Sequence, residues 1–436
     1  MEKNGQRTHK RARPAHRGYG KQNHATRLTL TVIMLFEFSA SLLLAFRSWP
    51  IDVYALGLAV LLPLVAMLSV RVISRLLHAD AMLVMLMNFL CGLGIILLYG
   101  LSPDRSLRQF VIYIAGIAVF ILCLLAVKHI RDWRSICWLM IPAGITLLLL
   151  PVAIGQETNG AKNWIYVPGF QSFQPSEMVK LMLLLILAQY FSSLRKLKSM
   201  LPGLVFAVAS LAALMLQKDL GTALMYYLVT LMMYWAASSN MPVTLVGAAG
   251  GVGAALIGYR MFAHVQTRVA IWLNPWSDAL GKGYQLVQAL TAIGSGGLFG
   301  LGLGMGQSHV IPAYSTDFIF AVLCEQFGII FGLCVVGLYV IIVLRGIAIS
   351  LAARTSFHAL LALGCSLLIG LQTFVIIGGV VKLIPLTGIT MPFVSYGGTS
   401  LLSCMGLMGL LCGVSAKNER DYEQDQLLAQ GSEAIL

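Results

Sequence analysis

Charge is scarce in this chain. Of its 436 residues only 11% are Asp, Glu, Lys or Arg, where a soluble domain carries about 25%. With 58% hydrophobic residues and a mean hydropathy of +0.84, that shortage excludes an ordinary water-soluble globule. No C-x-x-C pair occurs. The eight cysteines (Cys91, Cys123, Cys137, Cys324, Cys334, Cys365, Cys404 and Cys412) fall inside or beside apolar runs. They read as small buried hydrophobes, not as a disulfide framework or a metal site. No His-x-x-x-His and no Cys/His cluster argues for zinc. The glycine-rich run GSGGLFGLGLGMG (294–306) lacks the Lys-Ser/Thr ending and the preceding strand of a nucleotide loop, which excludes a nucleotide site.

What the sequence does have is length of apolar run. Runs near 28–46, 53–73, 80–100, 109–127, 135–153, 175–193, 203–217, 221–237, 243–262, 318–344, 357–381 and 399–414 approach or reach the roughly 20 residues that cross a bilayer. The expected fold is therefore all-α, a polytopic membrane helical bundle of about twelve spans. The short spans on either side of Asp219 allow a break within the membrane there. Basic residues fix the orientation. Arg71 and Arg75, Lys128, Arg131 and Arg134, Arg195, Lys196 and Lys198, Arg345 and Arg354, and Lys417 and Arg420 all lie on one side if both termini are cytoplasmic. Arg105 and Arg108 then fall outside, against the trend.

The net charge of +13 is concentrated at the start, where residues 1–27 hold eight Lys/Arg against Glu2. This segment reads as a basic cytoplasmic tail on anionic lipid, without a role for nucleic acid. Residues 417–436 read as a flexible polar cytoplasmic tail. Outside lie 154–174, 263–317 and 382–398. A structureless 50-residue loop is improbable, so 263–317 should carry interfacial helices.

Charges in or beside membrane spans are costly and therefore informative. Glu177 and Lys180 in QPSEMVKL are three apart and share a helix face, where they can pair; they can equally serve only to hold the bundle together. Asp219 ends a span in QKDLGT, and Asp317 opens one in TDFIFAVLCEQFG. Around them lie GAKNW (160–164), with Lys162 and Trp164 at the interface, and SYGGTS (395–400), where Ser395, Gly397 and Gly398 could let backbone approach a ligand. Such an outward-facing polar pocket fits a transporter that couples to protons or ions, or an enzyme working on a lipid-linked substrate with Asp317 as its base.

The motifs GAKNW, FQPSEMVKL, QKDLGTAL, NPWSDALGKGYQLVQALTAIGSGGLFGLGLG, TDFIFAVLCEQFG and IPLTGITMPFVSYGGTSLL occur in one order over roughly 80–427. In this the chain resembles the shape, elongation, division and sporulation family of FtsW, RodA and SpoVE. The resemblance implies a ten-helix core, here 80–416, with two extra N-terminal helices in 28–79. It also implies a peptidoglycan glycosyltransferase that polymerises lipid II at the outer face of the cytoplasmic membrane, partnered by a class B penicillin-binding protein. A lipid II flippase and a non-catalytic scaffold are the alternatives. By motif position Asp317 matches the family's essential loop aspartate, and Trp164 its essential tryptophan. Glu177, Lys180 and Asp219 match the polar cluster of its central cavity. On this reading Asp317 is the base, or a carboxylate that positions a divalent cation such as Mg or Mn. Lys180, with Lys162 and Lys382, would face the pyrophosphate, and Glu177 would hold Lys180. Ala313 and Ser315 stand where the family pattern has Glu and His, and Lys218 where it has Pro.

Overall fold

The computed structural model describes residues 24–47, 49–158, 161–166, 172–193 and 197–433. Most of the basic tail (1–23), together with Arg195 and Lys196, lies outside them. All twelve expected spans are helices. Two N-terminal helices, α1 (His24–Ala45) and α2 (Val53–Leu76), form a hairpin. The rest are α3 (Ala81–Leu101), α4 (Pro103–His129), α5 (Trp133–Ile154), α6 (Pro175–Phe191), α7 (Leu197–Leu216), α8 (Leu220–Ser238) and α9 (Met241–Met261). After two short helices, α10 (Ala263–Leu273) and α11 (Tyr284–Gly296), come α12 (Ile319–Ala352), α13 (Ser356–Val380) and α14 (Gly398–Glu433). Eleven of these are long and apolar enough to cross a membrane. The twelfth expected span, α6, has 17 residues and sits largely buried against α5, α7, α8, α13 and α14.

Short polar residues start the helices. Asp52, Asp80, Asp132, Asp219 and Asn240 each accept backbone N–H groups of the helix that follows, satisfying donors that no earlier turn can reach. Asp80 is fully buried and also pairs with Arg345 at 2.5 Å. This ties the start of α3 to the second half of α12, away from Asp317. Small residues let helices close up: an added Cβ at Gly409 would lie 2.3 Å from the Phe120 carbonyl, where α14 lies along α4.

The outer segment 263–317 carries the expected short helices. Its glycine-rich end then runs against a break in α12. Gly328 has φ 85° and ψ 166° inside that helix, a conformation essentially confined to glycine. The interrupted hydrogen bonds are made with the glycine-rich run instead. Leu301 N–H donates to Glu325 O, Gly302 N–H to Gln326 O, and Ile329 N–H to Gly297 O, at 2.9 to 3.0 Å. A Cβ at Gly328 would also sit 2.2 Å from the Leu298 carbonyl oxygen. Gly328→Ala is therefore expected to destabilise the protein by at least about 1–3 kcal/mol, read as a lower melting midpoint in detergent. An unchanged midpoint would mean that the break is not fixed by this residue.

Two expectations are corrected. Asp219 does not mark a break within the membrane. α7 begins at Leu197, earlier than its apolar run, so α7 and α8 are both full-length and Gln217–Asp219 is the tight turn between them, with Lys218 left-handed at φ 60°. Nor is the segment after residue 416 a flexible tail through its described length. α14 continues as helix to Glu433. The segment 417–430 contains neither Gly nor Pro and is rich in Glu, Gln and Leu, which favour helix, and Arg354 pairs with Asp421 and Asp425 one turn apart on it.

Candidate active site

Asp317 stands in the turn leading into α12, and the loop carrying it is latched from both sides. Ser395 Oγ donates to Thr316 O at 2.6 Å and accepts Met391 N–H at 2.8 Å. Tyr396 N–H donates to Ser315 O at 2.8 Å. From α4, Arg105 donates to Ser315 Oγ at 2.8 Å and lies over the rings of Tyr314 and Tyr396. Gln109 donates to Ser395 O at 3.0 Å, and Gly397 N–H donates to Gln109 Oε1 at 3.4 Å. Ser395, Gly397 and Gly398, the last opening α14, thus belong to a strap that fixes the aspartate's backbone.

The Asp317 carboxyl is half-buried. It lies beside Gly388, at φ 74°, and beside Arg268 of α10. A Cβ on Gly388 would be 3.5 Å from Asp317 Oδ2 and 3.7 Å from the Arg268 guanidinium. Arg268 itself donates to Thr387 O at 2.9 Å. Burial pushes the Asp317 carboxyl up to about 6, opposed by a hydrogen bond from Thr316 and by the positive charge of Arg268. The carboxyl beside Gly388 and Arg268 is thus held well above the usual carboxylate range by burial, while the strap fixes the backbone that carries it.

Asp219 sits next door. Gly221, two residues on, packs against Thr387, and Arg268 feels both carboxylates. Asp219 is heavily committed: Oδ2 accepts from Asn163 (2.8 Å), Gln174 (3.2 Å) and Thr222 Oγ1 (3.0 Å), and Oδ1 accepts Thr222 N–H (3.1 Å). It caps α8 and anchors the hairpin of β1 (Gln156–Thr158) and β2 (Ala161–Trp164). Trp164, opposite Gln156 on that hairpin, is half-buried.

Two of the three lysines are engaged by other groups. Lys162 Nζ donates to Val152 O at 2.9 Å and closes the end of α5. Lys382 is left-handed at φ 63° and receives the Trp272 indole N–H on its carbonyl. Lys180 is buried at 4% exposure. It is turned inward to Glu177 Oε2 at 2.6 Å and Gln372 Oε1 at 3.2 Å, since an ammonium inside an apolar bundle needs a carboxylate. Ser403 also donates to Glu177. Gln372 donates to Thr390 O at 2.8 Å, so this network props the strap from below.

Three residues that act here were not singled out from sequence. Arg268 could have been found as a basic residue of an outer amphipathic segment, against the positive-inside trend. Arg105 showed the same anomaly without an assigned role. Glu325, in the TDFIFAVLCEQFG motif, is buried and accepts the N–H groups of Gln307 and Ser308 at 3.0 Å each, holding the glycine-rich run. Its signal was an acid at the seventh residue of an apolar helix. Among the described residues no three His, Cys, Asp or Glu converge as a metal site. The hard oxygen of Asp317 fits Mg or Mn only in the mode where substrate phosphate completes the shell.

A family model described as cell cycle protein (FtsW, RodA, SpoVE) matches residues 76–420. The peptidoglycan glycosyltransferase RodA of Mycobacterium tuberculosis is 34% identical over 394 residues, covering 82% of this chain and 83% of the relative. Stage V sporulation protein E of Bacillus subtilis is 34% identical, covering 77% and 96%. A chain of a solved peptidoglycan synthase complex that coordinates polymerization and crosslinking superposes with a TM-score of 0.64 at 27% identity, covering 78% and 98%. RodA of Thermus thermophilus superposes at 0.56 with 28% identity, covering 77% and 96%. With an all-α membrane fold, six ordered motifs and a matching family model over most of its length, the chain belongs to the FtsW, RodA and SpoVE family of peptidoglycan glycosyltransferases.

Proposed function

We propose that this multi-pass glycosyltransferase of cell-wall synthesis polymerises lipid II at the outer face of the cytoplasmic membrane, with Asp317 as general base and both termini in the cytoplasm. The observation that carries this reading is the carboxyl of Asp317, strapped in place, half-buried, and pushed up to about 6. A base works best when its pKa lies near the working pH. The acceptor sugar's 4-hydroxyl loses its proton to Asp317 as its oxygen bonds to the donor's anomeric carbon. The bond from that carbon to the pyrophosphate oxygen breaks, and undecaprenyl pyrophosphate leaves with the electron pair. Arg268 supplies a fixed positive charge beside these events. Trp164, Asp219 and the β1–β2 hairpin border the place where substrate enters. A divalent cation, if taken up, would be held by Asp317 together with the substrate's phosphate oxygens and would add positive charge at the leaving group.

A class B penicillin-binding protein is the expected partner. It is supported by the likeness to a chain from a complex of polymerization and crosslinking. The strongly basic ends of the spans, gathered on the side away from Asp317, support the orientation.

The test is a pH profile of glycan formation from purified lipid II. The rate should rise as Asp317 deprotonates, reaching half its plateau near about pH 6. Arg268 lowers the Asp317 pKa, so Arg268→Gln should move that acid limb to higher pH as well as slow the plateau. A wild-type rate that is flat between about pH 5 and 7 would remove Asp317 from the role of base.

A further inference from the structure

The α1–α2 hairpin lies outside the matched family region of 76–420 and takes no part in the chemistry above. Between its helices is a groove of about 580 Å³. Arg27, Arg71 and Arg75 line one end. Leu30, Met34 and Phe38 of α1 and Pro63 and Met67 of α2 line the remainder. Spacing builds it: Pro63, Met67, Arg71 and Arg75 recur every four residues and share one face of α2. Leu35 and Phe38 remain substantially exposed along it, at 59% and 43%.

Two features of the groove define what would fill it. The first is length. From Arg27 to Phe38 is eleven residues, about 17 Å of helix, close to half of a hydrocarbon core of about 30 Å. The groove therefore spans one leaflet, whereas a partner transmembrane helix would need a seam through both. The second is charge. The only acid on either helix is Glu37, and it is buried against Gly92 of α3, ten residues along α1 from Arg27. Arg27 and Arg71 have no carboxylate within ion-pair distance among the described residues. The arginines lie at the free ends of the hairpin. Its connecting turn is at the other end, where Leu44 and Arg47 approach Gly304, on the side of Asp317.

We propose that this groove is a binding site for one anionic glycerophospholipid of the leaflet opposite the active site. The phosphate sits among Arg27, Arg71 and Arg75, and an acyl chain lies along Met34, Phe38, Pro63 and Met67. Placing that leaflet on the cytoplasmic side rests on the orientation given above; the binding itself does not.

Native mass spectrometry of the delipidated full chain tests it, titrating phosphatidylglycerol against phosphatidylcholine with identical acyl chains. One phosphatidylglycerol should be retained at concentrations where phosphatidylcholine is lost. Each of Arg27→Gln, Arg71→Gln and Arg75→Gln should weaken retention about five-fold, and Met67→Trp, which fills the groove, should remove it with all three arginines intact. Melting midpoints report that each variant is folded. Equal retention of the two lipids would overturn the proposal, as would undiminished phosphatidylglycerol retention in the triple arginine variant or in Met67→Trp. So would a polypeptide that copurifies stoichiometrically and crosslinks to the groove in place of lipid. Polymerisation of lipid II is scored separately, so loss of lipid retention and loss of activity are independent results.

Discussion

Asp317→Asn should lower glycan formation from purified lipid II by about 10²- to 10⁴-fold, the usual contribution of a positioned base, and leave the protein folded. Asparagine matches aspartate in size and can still accept the hydrogen bond from Thr316. The loop would keep its position, because Ser395, Tyr396 and Arg105 grip the backbone and side chains of residues 314–316 and never the carboxyl itself. Removing a half-buried charge also removes its desolvation cost, so the melting midpoint should hold or rise slightly. Arg268 would retain the Thr387 carbonyl. The measurement is polymer length and amount on a gel, beside a melting curve of the same preparation. Product at the wild-type level from Asp317→Asn would end the assignment.

The second large effect is on stability. Lys180→Met would leave Glu177 buried with a hydrogen bond from Ser403 but no cation. Stripping one partner from a buried pair costs about 3–5 kcal/mol, so this variant should melt far below the wild type. Replacing both, Glu177→Gln with Lys180→Met, should recover most of the loss, since no bare charge is left and an amide can still meet Ser403. Glycan formation separates two roles for the pair. Lys180 is almost wholly enclosed and faces Glu177 and Gln372, so product should return with the fold in the double variant. A double variant that melts like the wild type yet makes no polymer would put Lys180 on the pyrophosphate after all.

The spans could be read from the sequence because a bilayer demands some 20 apolar residues and few charges, a requirement set by local sequence alone. Asp317 could be placed at the head of α12 for the same reason: polar loop gives way to apolar run within two residues. What could not be read depended on contacts between distant segments. Arg268 meets the 387–388 backbone more than a hundred positions away, and no local pattern announces that. The strap of Ser395 and Tyr396 on residues 315 and 316 is of the same kind. Other features carried a local signal that a functional charge near a membrane would share. Asp219 followed at three residues by Thr222 is a helix start, and Lys162 lies within reach of the end of α5, where a cation suits the exposed carbonyls. The helical continuation of α14 lacked any apolar signal, because it is held by its own helix-forming residues and by Arg354.

α14 is 36 residues long, about 54 Å at the helical rise, nearly twice the roughly 30 Å of oil it must cross. It starts against the strap over Asp317, so its excess length must project from the other face of the bilayer as a stiff mast. A fluorophore on the last described turns would stand clear of the lipid headgroups and would report tilting of the molecule. It would never approach the compartment in which sugars are joined.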